Sequence, residues 1–506
     1  GSTQEKGMKR PGLLDLCGVL VTAVLVGAPR SLAGDPGLGW HLATGEWVVR
    51  HFDVPRIDPF LASTGDSATR AWVASQWLSD VIFYGVLHVG GWGLLYFLTC
   101  AVVFCAYFFV LTPLLKDQAT SALLSFFALL LTLIEASIQW FTRPVIFSFL
   151  LFAMNYRLAR GFRHDSEDAE SCRRYYWAVP LLFLLWANLH PAFPLGLAVW
   201  GLLALELSLR RRLAQAAMTG VLAGLALLAT LVNPYGVGLH RAVMALTSSD
   251  YFMRLNVEWL PPEFSVSVFG VFLLALAVFF LAVVAGGVRG LTAFDVFSLL
   301  LFGSLSLLHR RYIPFFSVVS LVPLATVLER IALGIPLPQT LRSAATALSF
   351  KEQRSTTIGW SAVIWLVALA ATLGRFGPIS TSQRALRPTE YFPSAAVSAL
   401  AAEFRPGERV LSTPDWGGYL TYRLWPRAQA LIDDRNALLG EELYRQYFRV
   451  EQLRPGWRTE LSAFAPDWVL IRNTAPLVSV LVRLSDWEER YRDDTSVLFQ
   501  RRLSPQ

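Results

Sequence analysis

Apolar runs of about 16 to 25 residues recur along most of this chain, and each is long enough to cross a hydrocarbon core of roughly 30 Å. In lipid every backbone N–H and C=O must be satisfied within the segment, so such runs fold as helices. They predict about eleven spans, at 13–32, 92–115, 120–139, 144–160, 176–190, 192–209, 214–232, 264–285, 292–308, 312–329 and 357–374. With 54% of residues hydrophobic and 16% charged, the chain has too few polar groups to coat one soluble core. The expected fold class is a polytopic α-helical membrane protein.

Charge sets the orientation. Lys6, Lys9 and Arg10 precede the first run and place the N-terminus on the cytoplasmic side. Alternation then puts Lys116, Arg157, Arg160, Arg163, Arg173, Arg174, Arg210, Arg211, Arg212, Arg289, Arg330, Arg342, Lys351 and Arg354 in cytoplasmic loops. Short loops rich in Lys and Arg belong there, facing anionic lipid. The expected location is the inner membrane, multi-pass. Three segments face out: a large first loop (34–91), a loop around 233–263, and everything from about 375. "SLA" before Gly34 also resembles a signal-peptidase site. The chain divides into a membrane domain, 1–374, and an extracytoplasmic domain, 375–506.

Within the first outer loop, "ASQWLSDVIFYGVLHVGG" reads as an amphipathic interfacial helix carrying Trp77 and Tyr84. The tail alternates apolar and polar residues. "RVLS", "AQALID", "DWVLIR" and "SVLFQR" read as strands among helices, and Asp415-Trp-Gly-Gly as a strand-end turn, giving a small α/β domain. Four cysteines show no metal or disulfide spacing. The basic residues are scattered among membrane loops, which gives no case for nucleic acid.

"HRRYIPFF" breaks the charge rule. His309, Arg310 and Arg311 fall on an outer junction, as does Arg143 in "WFTRPVIF". Guanidinium groups there suit a phosphate or pyrophosphate, held by bidentate hydrogen bonds, or else snorkel to lipid headgroups. Other polar groups collect on the same face: Asp35, His41 and Glu46 in "GDPGLGWHLATGEW", Arg56 and Asp58 in "VPRIDPF", Asn188 and His190 in "WANLHPAF", Asn233 in "VNPYG", and Glu258 in "VEWLPP". An enzyme acting there needs a carboxylate to take a proton from an acceptor and cations to hold a departing phosphate.

These blocks resemble the GT-C superfamily of polytopic glycosyltransferases, distantly similar to oligosaccharyltransferase catalytic subunits and protein O-mannosyltransferases. "GDPGLGWHLATGEWVVRHFDVPRIDPF" is similar to the acidic opening of that superfamily's first outer loop and maps Asp35 onto its catalytic base. "RVLSTPDWGGYLTYRLWPRAQALIDDRNALLG" resembles the stretch bearing a Trp-Trp-Asp-Tyr-Gly motif and a later Asp-Asn-Asn. The match there is partial: Asp415, Trp416, Gly417, Gly418 and Tyr419, then Asp433, Asp434 and Arg435, with Thr413-Pro414 in place of the paired tryptophans. The whole chain also resembles a bacterial group within the superfamily that shares "WHLATGEW", "NLH", "NPYG", "EW", "RRY" and "DWGGYL…DDR" in this order.

The resemblance implies a polyprenyl-phosphate-linked sugar as donor, with membrane lipids around it and a glycan, lipid or protein acceptor. Asp35 is the expected base, with Glu46 and Asp58 in reserve. The expected substrate-binding set is His41, Arg56, Arg143, His190, Glu258, His309, Arg310, Arg311, Asp415, Trp416 and Tyr419. No Asp-x-Asp stands in an outer loop, so a divalent metal stays open without a motif to support it, and no metal ligands or other cofactor are assigned. The alternative is a non-catalytic GT-C-like protein that binds lipid-linked glycan or an envelope partner. A transporter lacks support, since neither an inverted repeat nor a pair of Gly/Pro-broken spans is seen.

Overall fold

The computed structural model of the protein describes residues 12–27, 34–62, 70–116, 121–247, 250–265, 267–336, 338–354 and 392–502, with isolated positions between 363 and 370. The expected span at 357–374 lies almost wholly outside the described residues, and so does the 374/375 boundary.

The apolar runs fold as helices close to the expected limits: Leu13–Gly27, Ala122–Ala136, Val145–Asp165, Tyr175–Leu189, Phe193–Leu209, Leu213–Ala229, Ser267–Val284, Ala293–Leu308 and Ile313–Leu333. Among the described residues four helical stretches are long and apolar enough to cross a membrane: Trp77–Lys116, Ala122–Gln139, Val145–Asp165 and Arg310–Leu333. Shorter apolar helices pack beside them. The chain is a polytopic helical membrane protein with a small C-terminal sheet domain.

The interfacial helix and the span after it form one kinked element, Trp77–Phe104. It breaks at Gly91, whose φ of 64° is open to glycine without steric cost. A π turn at Cys105–Phe109 then leads to Thr112–Lys116. Among the described residues five helices lie in segments read as loops: Leu38–His51, Ala169–Cys172, Val237–Thr247, Asp250–Leu255 and Gln339–Arg354.

The C-terminal domain is a five-stranded sheet in the order β2-β1-β3-β5-β4. Its strands are β1 Arg409–Ser412, β2 Gln429–Ala430, β3 Trp468–Arg472, β4 Trp487–Arg492 and β5 Ser496–Arg501. β1 runs parallel to β2 and β3, while β5 is antiparallel to β3 and β4. Central β3 is buried along Trp468–Ile471, which explains its unbroken apolar run. β4 was not among the expected strands: Glu488, Glu489 and Arg490 put charge on nearly every position of an edge strand.

One expectation is overturned here. Asp415-Trp-Gly-Gly opens a helix, Pro414–Leu424, with proline in its first turn. The glycines serve contact rather than turn geometry. A Cβ on Gly39 would collide with the Gly418 backbone, one on Gly417 with the Ile432 carbonyl, and one on Gly418 would sit 3.0 Å from the Pro36 oxygen. The Leu38–His51 and Pro414–Leu424 helices therefore meet backbone to backbone, which fixes the tail domain on the first loop.

Candidate active site

Asp35 opens the first loop. Its Oδ1 accepts from the Gly37 N–H at 2.7 Å, closing a tight turn into the Leu38–His51 helix. The carboxylate is 7% exposed. Arg143 Nε lies 2.9 Å from Asp35 Oδ2, and Arg143 Nη1 donates to Glu258 Oε1. Arg143 stands just before the Val145–Asp165 helix, and Glu258 sits in a short 3-10 turn begun by the Asn256 side chain, which accepts from the Glu258 N–H at 3.0 Å. One guanidinium thus bridges two carboxylates from distant loops.

The electrostatics separate the two acids. Burial raises the Asp35 carboxyl above its ordinary range; Arg143 pulls it down, Glu258 pushes it up, and the net shift is upward. Burial also opposes ionisation of Glu258, but Arg143 and then Arg311 outweigh it and hold that carboxyl below its usual value. Asp35 Oδ2 is buried with no hydrogen bond aimed at it, the ion-pair contact with Arg143 notwithstanding. That lone pair can take a proton.

His309, Arg310 and Arg311 adjoin this cluster through the Glu258 turn. The His309 ring bonds to the Trp259 carbonyl at 2.5 Å, and the Arg310 N–H donates to the Leu260 carbonyl at 3.0 Å. The Arg311 guanidinium lies 4.1 Å over the Trp259 ring, and that of Arg310 is 5.7 Å from the Phe269 ring. Neither forms an ion pair with a carboxylate among the described residues, and both are partly exposed. Aromatic stacking presents Arg311 while leaving its donors for a ligand.

The remaining candidates divide. His41 is buried beside the cluster, bonded to Asp80 at 2.6 Å and packed on Trp40 at 3.7 Å. Burial, and then the charge of Arg143, keep it neutral well below its ordinary pKa. His190 bonds through Nδ1 to the Ser148 hydroxyl at 2.7 Å, a hydroxyl that also accepts from Trp186 at 2.8 Å. Glu46 pairs with Arg50 one turn along its own helix. Arg56 donates to the Pro234 carbonyl at 3.2 Å and tethers the first loop to the NPYG turn. Asp58 is held by Arg435 at 2.8 Å. Trp416 and Tyr419 are buried in the packing of the tail domain, and Asp415 is exposed and paired with Arg472 at 3.1 Å.

Asp434 belongs with the cluster, although it was not among the expected site residues. Its Oδ1 accepts from Trp40 Nε1 at 3.1 Å, and its Oδ2 faces the same Gly37 position as Asp35 Oδ1. Burial, then Asp433 and Asp35, push its carboxyl well up. The tail thus delivers a third carboxyl group, one that favours its protonated form, to the edge of the Asp35 site. Arg435 turns the other way, onto Asp433 at 2.7 Å and Asp58. Among the described residues no cluster of three or more His, Cys, Asp or Glu groups is arranged to hold a metal ion. Asp35 and Glu258 already share a guanidinium.

No family model matches this sequence, and no curated protein matches it. Solved structures do resemble its fold. Arabinofuranosyltransferase AftD from Mycobacteria matches at a TM-score of 0.50 and 14% identity, over 98% of this chain and 40% of that one. ArnT from Cupriavidus metallidurans, bound to undecaprenyl phosphate, matches at 0.49 and 13%, over 96% and 97%. Oligosaccharyltransferase AglB from Archaeoglobus fulgidus, with an inhibitory peptide and a dolichol-phosphate, matches at 0.49 and 12%, over 91% and 69%. With its apolar helices and the likeness over nearly its whole length, the chain is a membrane protein that shares its fold with AftD.

Proposed function

We propose that this protein is an inverting glycosyltransferase that moves a sugar from a polyprenyl-phosphate donor to an acceptor on the extracytoplasmic side, the side that the positive-inside distribution gives to the Asp35 cluster. One observation carries this reading. A buried carboxylate, Asp35, is joined through Arg143 to Glu258, and Glu258 in turn feels Arg311 and Arg310, two arginines without a carboxylate ion pair among the described residues. The fold shared with an arabinofuranosyltransferase supports the reaction class.

The acceptor hydroxyl or amine gives its proton to Asp35 Oδ2 as its oxygen or nitrogen attacks the anomeric carbon. The bond from that carbon to the phosphate oxygen breaks, and its electron pair leaves with the polyprenyl phosphate. Arg310 and Arg311 meet the charge that develops there. Arg143 and Glu258 are positioning residues, setting the direction and basicity of Asp35. Asp434 of the tail domain and Trp40 of the first loop close the site.

The test is release of polyprenyl phosphate by the purified protein from a panel of polyprenyl-phosphate sugars. Asp35→Asn lowers turnover by about 10²–10⁴-fold, the range for loss of general base catalysis, with a melting temperature nearly intact because the amide oxygen still accepts from Gly37. Undiminished turnover in that variant removes Asp35 from the chemistry. A wild type that retains such lipids but releases none is the non-catalytic binder.

A further inference from the structure

The Trp77–Phe104 and Tyr175–Leu189 helices are tied together at one end. Trp77 Nε1 donates to Asn188 Oδ1 at 3.0 Å, and the Ser79 hydroxyl donates to the Leu189 carbonyl at 2.6 Å. Past the π turn, Val110 and Leu114 line a cavity of about 930 Å³ together with the Val145–Asp165 helix and the Tyr175–Leu189 helix. Its walls are apolar, from Leu114, Met154, Trp177, Leu181 and Leu185. It opens sideways: Trp177 is 64% exposed and Leu181 49%. In a membrane-spanning bundle such a face meets lipid.

The rim is basic, formed by Arg157, Arg160, His164 and Arg174. Arg160 is matched by Asp295 at 2.5 Å, and Arg174 by Asp165. Arg157 is exposed and has no partner among the described residues. It follows Arg143 by fourteen residues, about 20 Å at 1.5 Å per residue, so this cavity lies at the far end of the helix from the Asp35 cluster. It is independent of the glycosyltransferase reading.

We propose that this wedge binds an anionic glycerophospholipid of the adjacent leaflet, with its acyl chains on the apolar walls and its phosphate on Arg157 at the basic rim. Three features favour that occupant over a soluble ligand: a lateral opening, walls without polar groups along most of their length, and an unmatched cation at the depth of a headgroup.

The experiment uses the purified, delipidated full chain with phosphatidylglycerol or phosphatidylcholine of matched acyl chains, read by native mass spectrometry and thermal shift at low salt. Phosphatidylglycerol is retained and raises the melting temperature; phosphatidylcholine does neither. Arg157→Gln weakens retention about fivefold, the effect of one surface arginine on an anionic lipid. Arg173→Gln, at the same end but outside the wedge, leaves retention unchanged. Equal retention of the two lipids, wild-type retention in Arg157→Gln, or equal loss in both variants overturns the proposal. Displacement of phosphatidylglycerol by an equal amount of polyprenyl monophosphate also overturns it.

Discussion

Arg435→Met tests how the tail domain is held on the first outer loop. The Arg435 side chain is 4% exposed and bonds to Asp433, 0% exposed, and to Asp58, 1% exposed. It also lies 4.6 Å over the Trp72 ring and 5.5 Å from that of Phe60. Methionine keeps length and apolar contact with both rings but removes the one guanidinium bonded to both buried carboxylates, with Arg70 left as the other cation that acts on them. Removing one partner of a buried ion pair costs about 3–5 kcal/mol. Asp58→Asn costs less, because an amide oxygen still accepts from Arg435 and Asp433 still neutralises it. The double variant carries one orphaned charge fewer than Arg435→Met, so it is more stable than the sum of the single variants requires, by about 0.5–3 kcal/mol of coupling. Thermal unfolding of the purified variants, with protease sensitivity of the 34–62 segment as a second readout, measures the cycle. A loss under about 1 kcal/mol for Arg435→Met, well below the range for a broken buried pair, or strict additivity, refutes the reasoning.

Asp35 must be ionised to act and its carboxyl is raised, so the acid limb of kcat/KM lies above the ordinary aspartate value of about 4. Arg143→Gln removes a charge that lowers Asp35 and moves the limb to higher pH, whereas Glu258→Gln removes one that raises it and moves the limb lower; pH–rate profiles of the three proteins check the order. Gly39→Ala forces a Cβ into the Gly418 backbone and costs about 1–3 kcal/mol of overpacking strain. Gly201→Ala, where nothing lies within 4 Å, is neutral or stabilising, so equal melting temperatures for the two variants contradict the close-approach account. Arg311→Gln weakens polyprenyl monophosphate binding by about 1.5–3 kcal/mol, the worth of hydrogen bonds to a charged group, as read by isothermal titration.

The helices were legible because a lipid-facing segment cannot hide its composition: expected limits such as 292–308 and 312–329 meet helices at Ala293–Leu308 and Ile313–Leu333. The breaks were less legible. Gly90 and Gly91 look alike in sequence, yet Gly91 alone of the pair takes positive φ. Asp35, Arg143 and Glu258 each stood out as polar groups on one face. That Arg143 joins the other two was not readable, since the partners lie more than a hundred residues apart and only tertiary packing brings them together. Asp434 was hidden by its neighbours: between Asp433 and Arg435 it reads as half of a local salt bridge. No local signal separated it from Asp433, since only the tertiary contact with Trp40 brings it to the Asp35 site. The glycines of "DWGGYL" were misread for a related reason. Close helix contact and turn geometry ask for the same residue, and only the partner backbone tells them apart.

The most direct test is a structure of the full chain bound to polyprenyl monophosphate. The account predicts the phosphate within hydrogen-bonding distance, about 2.7–3.2 Å, of Arg310 or Arg311, with the lipid leading into the membrane and Asp35 Oδ2 facing the space where a sugar would be attached. A phosphate bound at the opposite end of the Val145–Asp165 helix, or one that leaves both arginines unengaged, contradicts it.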